Sequence, residues 1–330
     1  MEGLAEKYAL LPHCRFGSAV RAATWDEGRA RWTLELEAGE AIEADLFQRT
    51  ANWVLPKPDD PFSEQQLEQF RTDPNAALAV RQEIFERGDG GMTFEDPVRL
   101  AEMEAAGLAA IAGVEDPELR RKLRPQHPFG CKRPLLSNDY YAAFNRPNLE
   151  LVTDAIERIT KDAVVTVDGK TRRVDTLILA TGFSTTKYLS AIEVTGRAGR
   201  RIDEAWSDGA CAYLGITTAG FPNLFMLYGP NTNNGSILAM IEYQVDYALA
   251  QIQRIANERL AWIDVRPEPM ERYNEEIQRA IERVAVWQAN CNGYYRSPSG
   301  RVVTQWPHSM SEFKRRTTTR DADAYEVAPL

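Results

Sequence analysis

The hydrophobic pattern of the chain centres on one unbroken apolar run. Residues 176–180 are β-branched or aliphatic, with Asp175 before them and Thr181-Gly182 after them. This length and composition predict a strand that is buried on both faces inside an α/β sheet. A glycine directly after such a strand permits a sharp turn or a close approach to a ligand. The run therefore predicts either a core strand with a tight turn or part of a ligand site at the carboxyl edge of a sheet.

A second apolar run, residues 219–229, also ends in glycine and predicts a second buried strand. The polar, turn-rich residues 231–236 follow it, and an amphipathic helix is predicted to begin near Ser236. The apolar positions of this helix recur at three- and four-residue steps, at Ile237, Met240, Ile241, Val245, Leu249, Ile252 and Ile255. A polar loop between a strand and a helix N-terminus favours an anionic or polar cofactor group, because free backbone N–H groups point there.

The rest of the chain divides into short strands and one helical region. Alternation and turn residues predict strands at 16–20, 30–36, 41–44, 149–152, 156–159, 164–167 and 262–265. Asp168-Gly169 is a hairpin turn signal. Helices are predicted at 76–87, 97–112, 117–123 and 267–290, and Ser63 with Gln66 forms a candidate capping box. Residues 291–306 predict a loop and a hairpin.

Composition narrows the class of protein. A chain of 330 residues is long enough for about two domains. A net charge of -9 argues against nucleic acid and anionic membrane surfaces as partners. No apolar run approaches membrane-spanning length, and the first residues lack the apolar core of a signal peptide. Four widely spaced cysteines and three histidines predict no metal site, and we expect reduced thiols in a cytoplasmic protein.

Seven segments, in this order, resemble the later part of Baeyer–Villiger and related flavin-containing monooxygenases. They are LFQRTANWVLPKP (46–58), FGCKRPLLSNDYY (129–141), RPNLELV (146–152), VDTLILATGF (174–183), GFPNLFMLYGPNT (220–232), IEYQ (241–244) and CNGYYRSPSGR (291–301). One such motif would be weak, but seven in the order of the family are strong evidence. The similarity covers nearly the whole chain.

The chain also departs from that family. Its members carry two GxGxxG fingerprints, one opening the FAD fold and one opening the NADP fold, and this sequence contains neither. The resemblance places the first before residue 1. It places the second between Asp45 and Leu46, together with the diagnostic FxGxxxHxxxW/D motif of the family. We therefore expect a flavin monooxygenase from which a first segment is missing and a second is excised in frame.

The resemblance implies a fold and a domain order. The fold class is α/β, the two-dinucleotide-binding-domain flavoprotein fold, incomplete and with a helical insertion. We expect an FAD-domain remnant at 1–45, an NADP-domain remnant at 46–183 with its helical insertion at about 59–127, and a C-terminal FAD-domain portion at 184–330.

The resemblance also implies roles for single residues. Arg133 matches the arginine that lies over the flavin and stabilises the negatively charged peroxyflavin, a role that suits a permanently charged planar donor. Lys132 and Arg49, the latter beside Thr50, match residues that meet the 2′-phosphate of NADP. Cofactor-approaching positions are implied at Asp175, Thr181, Gly182, Gly229, Pro230, Asn231, Thr232 and Tyr294. Tyr294 stands where relatives often carry a tryptophan beside the nicotinamide.

The implied function is an FAD- and NADPH-dependent monooxygenase that converts a ketone or aldehyde to an ester or lactone with O2. The chemistry belongs mainly to the cofactor in this family. Two alternatives stay open. The chain could be a subunit that complements a second polypeptide or forms a homo-oligomer, or it could be an inactive fragment. We expect the chain alone to bind FAD weakly or not at all.

Overall fold

The computed structural model describes residues 20–26, 31–36, 43–89, 93–180, 182, 185–289, 295–319 and 321–330. These residues form two compact units. The first unit comprises the described residues of Met1–Pro58, Glu102–Pro128 and Arg133–Gly182. The second comprises those of Asp59–Ala101, Phe129–Lys132 and Phe183–Leu330.

The first unit contains small sheets of short strands. Strands β1 (Val20–Asp26) and β2 (Arg31–Leu36) pair antiparallel, as the predicted meander requires. Two pairs are parallel: β3 (Ala44–Phe47) with β6 (Leu149–Val152), and β4 (Val54–Leu55) with β5 (Leu135–Leu136). The predicted strands at 16–20 and 41–44 lie largely outside the described residues.

A three-stranded antiparallel sheet completes the strands of this unit: β7 (Ile156–Ile159), β8 (Ala163–Thr166) and β9 (Thr171–Arg173). The predicted turn at Asp168-Gly169 joins β8 to β9. The Asp168 carboxylate accepts hydrogen bonds from the Thr166 hydroxyl at 2.6 Å and the Lys170 N–H at 3.2 Å. Gly169 takes a positive φ of 84°, which glycine adopts without steric cost.

The core of the first unit lies around the two parallel strand pairs. Helices α3 (Pro97–Ile111), α4 (Pro117–Leu123) and α5 (Tyr140–Ala143) supply much of it. Its buried side chains are Leu46, Val54, Ile111, Val114, Leu123, Tyr140, Tyr141, Phe144 and Leu151. Burial raises the pKa of Tyr141 to about 12.

The second unit begins with two exposed helices, α1 (Glu64–Thr72) and α2 (Pro74–Asp89). Ser63 caps α1, and the Ser63–Gln66 capping box predicted from the sequence is confirmed. Further along lie α6 (Ile202–Ala205), α7 (Ile237–Asn257), β10 (Leu260–Val265), α8 (Pro267–Arg283), α9 (Ala285–Gln288), α10 (Met310–Thr318) and β11 (Tyr325–Pro329). Strands β10 and β11 pair antiparallel.

The core of the second unit contains side chains from α7, α8, α10 and the β10–β11 pair. Its deeply buried members include Ile216, Met240, Ile263, Ile277, Ile281, Val284, Trp306 and Phe313. The predicted helix at 267–290 is wrong in its length, because α8 ends at Arg283 and Val284 takes an extended backbone before α9 begins.

The predicted buried strand at 176–180 is wrong. These residues belong to no strand, and Leu177, Ile178 and Leu179 are 42% to 72% exposed. A strand is stable inside a sheet only where neighbouring strands pair with its backbone and cover its faces. No neighbouring strand pairs with this run among the described residues.

The predicted buried strand at 219–229 is also wrong, although its apolar side chains are partly buried. The backbone turns repeatedly there, and Asn223 and Tyr228 take positive φ values of 57° and 58°. Phe221 and Met226 enter a small core with Ile202, Trp206, Ala210 and Ala212. Burial of the run was therefore predicted correctly for these two side chains, but its backbone conformation was not.

Three further observations bear on the predicted class. Among the described residues, the helices include none with the length and apolar character needed to span a bilayer. Within the same residues, no three histidine, cysteine or acidic side chains are grouped as metal ligands. Cys211 is free, but Cys131 is disulfide-bonded, so the prediction of reduced thiols is wrong for Cys131. Cysteines that are widely spaced along a sequence can still lie next to each other in the fold.

Candidate functional site

The polar loop at 229–236 is held inside the second unit by the segment 302–306. The Asn231 N–H donates to the Val303 carbonyl at 2.9 Å, and the Asn233 N–H donates to the Thr304 carbonyl at 2.9 Å. The Asn231 side-chain amide donates to the carbonyls of Val302 at 3.0 Å and Gln305 at 2.9 Å. Loop and segment therefore pair like strands, although only a single bridge, between Asn233 and Gln305, is regular.

The far end of the loop is fixed in the same way. The Asn234 amide donates to the carbonyls of Trp306 at 3.1 Å and His308 at 2.9 Å. Ser236 then caps α7 by accepting from the Ala239 N–H. Burial, assisted by the nearby charge of Arg316, lowers the pKa of His308, so the imidazole beside this anchor is held neutral.

A close approach of two glycines sets the start of the loop. A Cβ on Gly229 would lie 2.2 Å from the Gly215 carbonyl oxygen, and a Cβ on Gly215 would lie 2.1 Å from a Thr232 methyl. The fully buried Gln244 joins these segments to α7. Its side chain accepts from the Tyr228 N–H at 2.7 Å and donates to the Gly215 carbonyl at 3.4 Å.

Two amide oxygens of the loop are buried without a donor. The side-chain oxygens of Asn231 and Asn234 have no hydrogen-bond partner in the described part of the chain. A buried acceptor left unpaired costs about 1–3 kcal/mol, so each such atom needs an explanation. Both acceptors are closed off from solvent by the surrounding protein, on the loop that leads into the N-terminus of α7.

The first unit places Arg49, Thr50 and Arg133 next to its parallel strands. Arg49 and Thr50 follow the carboxyl end of β3, and both are exposed. Arg133 is exposed and precedes β5. The Asn52 side chain donates to the Arg133 carbonyl at 2.9 Å, so the backbone of Arg133 is tied to a residue three positions after Arg49.

The other predicted site residues are distributed between the two units. Asp175 and Gly182 lie in the first unit, both exposed, and Gly182 takes a positive φ of 91° that suits the predicted sharp turn. Lys132 lies in the second unit and is half-buried. Thr181 and Tyr294 lie outside the described residues. The cofactor roles of all the predicted residues stay predictions.

Sequence reasoning missed the residues that hold the loop. Gln244 and the segment 302–306 have no counterpart among the predicted site residues. One signal was available, because a glutamine at position 244 interrupts the apolar face predicted for α7 between Ile241 and Val245. The structure buries that glutamine completely, since it satisfies two backbone groups.

Comparison with known proteins defines the class of this fold. A search against protein-family models found no match. The crystal structure of OTEMO in complex with FAD and NADP superposes with a TM-score of 0.74 and 22% identity, covering 89% of this chain and 63% of that one. The fold is the α/β, two-dinucleotide-binding-domain flavoprotein fold, incomplete in this chain and with a helical insertion, as predicted.

One curated relative identifies the family, and a second agrees with it. A Baeyer–Villiger monooxygenase from Pseudomonas aeruginosa is 39% identical over 290 residues, which are 86% of this chain and 55% of the relative. A Baeyer–Villiger monooxygenase from Streptomyces coelicolor is 28% identical over 410 residues, covering 99% of this chain and 77% of the relative. The chain belongs to the family of Baeyer–Villiger and related flavin-containing monooxygenases, and the predicted resemblance is confirmed.

The lengths of these matches carry further information. The chain spans only about half the length of the Pseudomonas relative. The match to the Streptomyces relative extends over 410 residues, more than the 330 that this chain contains. That relative therefore has internal residues without a counterpart here, in agreement with the excised segment expected from the sequence.

Proposed function

We propose that this chain forms the flavin-facing part of an FAD- and NADPH-dependent Baeyer–Villiger monooxygenase. The reaction class is insertion of one oxygen atom of O2 next to the carbonyl of a ketone or aldehyde, which gives an ester or a lactone. The observation that carries the proposal is the anchored polar loop at 229–236, which leads into the N-terminus of α7. Membership of the family supports it.

The loop residues fit the flavin end of FAD. The side-chain amides of Asn231 and Asn234 fix the backbone of this loop at the start of α7, where free backbone N–H groups favour a polar cofactor group. Gly229, Pro230 and Thr232 would shape the approach, since all are buried and fixed by the neighbouring backbone. FAD, when bound, supplies the oxygen chemistry, and NADPH supplies the hydride.

The resemblance to the family supports cofactor roles for the cationic residues. Arg133 would stabilise negative charge beside the flavin, because a guanidinium stays charged at every working pH. Arg49 and Lys132 would bind the 2′-phosphate of NADP, with Thr50 in the same turn as Arg49. Asp175, Thr181 and Gly182 would approach the flavin, and Tyr294 would face the nicotinamide. The domain division at 1–45, 46–183 and 184–330 belongs to this proposal.

The pyrophosphate groups of both cofactors lack a binding loop in this sequence. A dinucleotide is normally held where a GxGxxG turn opens a helix, and the 330 residues contain no such motif. We therefore expect the flavin end to be recognised and the remainder of FAD to need residues from elsewhere. The purified chain should bind FAD weakly.

The test is reconstitution. The chain is mixed with FAD, NADPH and a cyclic ketone, with and without a second polypeptide carrying the two GxGxxG segments of the Pseudomonas relative. We expect flavin fluorescence to be quenched and an ester to form only in the complete mixture. Arg133→Ala should abolish ester formation while the flavin is still reduced, and Arg133→Lys should restore part of it. Absence of ester from the complete mixture would contradict the proposed activity.

A second candidate function is that of a complementing, non-catalytic subunit. The exposed run at 176–180 favours it, because an apolar strand sequence that lacks sheet neighbours can add to the edge of another sheet. The partner would be a polypeptide with a parallel dinucleotide-binding sheet.

This candidate is tested by binding rather than turnover. Leu179→Lys should weaken association with the polypeptide that carries the GxGxxG segments, whereas Leu136→Lys, at another exposed leucine of the same unit, should not. Equal affinities of the two variants would argue against the subunit role. The cytoplasmic location also stays a proposal, which cell fractionation would test.

A further inference from the structure

Cys131 is buried and disulfide-bonded, and two cysteines of the chain remain as its possible partner. Its residue is 2% exposed. Cys211, the other cysteine among the described residues, is free. Cys14 and Cys291 both lie outside the described residues. The described surroundings of Cys131 therefore decide between these two partners.

One contact joins Cys131 to the end of α9. Its Sγ atom lies 3.8 Å from the carbonyl oxygen of Ala289, the residue that directly follows α9. Cys291 is two residues further along the chain, so its Cα lies within about 7.6 Å of the Ala289 Cα. A disulfide joins Cα atoms about 4.4–6.8 Å apart. Chain connectivity therefore keeps the Cys291 thiol within reach of Cys131.

Aromatic packing supports the same neighbourhood independently. The ring of Phe94 lies between those of Phe129 and Trp287, with centroid distances of 6.4 Å and 5.8 Å. Phe129 precedes Cys131 by two residues, and Trp287 lies on α9. Gly130 packs against the same ring, because a Cβ there would lie 2.4 Å from Phe94. The segment that ends at Cys131 is therefore packed beside α9 through contacts that involve neither thiol.

The end of α9 is itself fixed. The Gln288 side chain donates to the Ile281 carbonyl of α8 at 2.9 Å. The Arg296 guanidinium donates to the Trp287 carbonyl. These bonds tie the last turn of α9 to α8 and to Arg296. The stretch that contains Cys291 is thus anchored to the second unit on both sides.

We propose that Cys131 is bonded to Cys291, and that this disulfide is a permanent cross-link of the second unit. It joins two of the seven segments that resemble the family, FGCKRPLLSNDYY and CNGYYRSPSGR. The stretches that contain the two cysteines belong to the same unit, and the chain passes into the first unit directly after Lys132. The cross-link therefore fixes the point at which the chain leaves the second unit.

The chemistry of the bond is a two-electron oxidation. Two cysteine thiols lose two protons and two electrons, and a small disulfide such as oxidised glutathione accepts them and becomes two thiols. Because Cys131 is buried, a thiol in solution reaches the bond only when the structure opens locally. The bond also closes a loop of about 160 residues, which removes conformations from the unfolded chain and stabilises the folded one. We therefore expect the bond to persist when the folded chain is mildly reduced.

Peptide mapping without reduction tests the pairing. The chain is unfolded in guanidinium chloride with an alkylating reagent present, digested and analysed by mass spectrometry. We expect one linked pair of peptides that contains Cys131 and Cys291, with Cys14 and Cys211 alkylated. A linked pair that contains Cys131 and Cys14, or an alkylated Cys131, would overturn the assignment.

Substitutions test the stabilisation. Cys131→Ala and Cys291→Ala should each lower the unfolding temperature by about 5 °C or more, and the double variant should lose little more, since either change breaks the same bond. Cys14→Ala and Cys211→Ala are matched controls that should each shift it by less than about 2 °C. Additive losses at positions 131 and 291, or a loss for Cys14→Ala as large as that for Cys131→Ala, would contradict the cross-link.

Reduction supplies a second readout. Dithiothreitol, added while the chain is unfolded, becomes a cyclic disulfide as the protein bond becomes two thiols. After refolding in the reductant, the unsubstituted chain should unfold at a temperature close to that of the double variant, which should not respond to the reductant. A reduced chain that keeps its full unfolding temperature would refute the stabilising role. The inference does not depend on the monooxygenase proposal, because these readouts require neither cofactor nor turnover.

Discussion

Two segments of this chain share one sequence pattern but adopt different structures. Both 174–182 and 219–229 are apolar runs that end in glycine, and both predict buried strands. In the structure the first is an exposed segment without strand pairing, and the second is a turning segment with Phe221 and Met226 buried. Neither is a strand.

The difference lies in what surrounds each run. The second run is followed by a loop whose asparagines donate to four backbone carbonyls of the segment 302–308. Among the described residues, the first run is tied to a distant segment by the Val174 N–H, which donates to the Asp162 carbonyl at 3.0 Å, and residues 176–180 pair with no strand. Apolar composition indicates a tendency to be buried, but hydrogen-bond partners distant in sequence decide whether and how burial happens.

The largest expected contrast comes from truncating one apolar side chain in each region. Trp306 is fully buried in the segment that anchors the second loop. Trp306→Ala should lower the free energy of unfolding by about 3–5 kcal/mol, because it removes a packed ring and leaves a cavity. Leu179→Ala, in the exposed run, should change it by less than about 0.5 kcal/mol. Urea unfolding followed by circular dichroism measures both, and equal losses would contradict the contrast.

A second contrast uses the two terminal glycines. Gly229→Ala would place a methyl 2.2 Å from the Gly215 carbonyl, so backbone must move, and we expect a loss of about 3 kcal/mol. A Cβ on Gly182 would meet nothing within 4 Å. Gly182→Ala should therefore cost only the strain of its positive φ, about 1 kcal/mol. Thermal unfolding of the two variants side by side distinguishes these values. A larger fall in the unfolding temperature for Gly182→Ala than for Gly229→Ala would contradict this prediction.

The smallest expected effect is a pH dependence confined to the anchored region. Burial lowers the pKa of His308, whose surroundings include Arg316, Glu312, Glu276 and Glu95. The folded state therefore binds a proton less readily than the unfolded state, in which histidine titrates near pH 6.5. The contribution of neutral His308 to the free energy of unfolding is therefore fully present above about pH 6.5, and it is lost as the pH drops below that value.

Denaturant unfolding at a series of pH values measures how steeply the free energy of unfolding changes with pH. His308→Gln should reduce this slope. The Glu312 carboxyl adds a separate loss in stronger acid, because hydrogen bonding to Arg315 lowers its pKa to about 2. That loss should persist in the His308→Gln variant. An unchanged slope between about pH 7 and about pH 5 in the variant would show that His308 is not the group that titrates.

Local signals predicted local structure well. The helix at 117–123 and the strands at 149–152 and 156–159 have their predicted bounds, because a cap, a proline or a short alternating pattern specifies each. The break at Val284 was missed, since no proline or glycine marks it. The apolar positions predicted for α7 include both the buried Met240 and the exposed Leu249 and Ile252, because periodicity reports an apolar face but not what covers it.

The candidate site was predictable only in part. The loop at 229–236 stood out because it joins an apolar run to a helix cap. Its partners at 302–306 did not, because pairing between segments about seventy residues apart leaves no periodic trace. Cys131 was misjudged for the same reason.

The buried amide of Gln244 restricts how this position can vary. Its oxygen must accept from Tyr228 while its nitrogen donates to Gly215, and a primary amide is the side-chain group that does both at this reach. Glutamate, which has the same shape, could not donate once ionised, and methionine could satisfy neither backbone group. In a saturation library, position 244 should therefore accept almost no replacement, whereas Val245 beside it should accept most aliphatic ones.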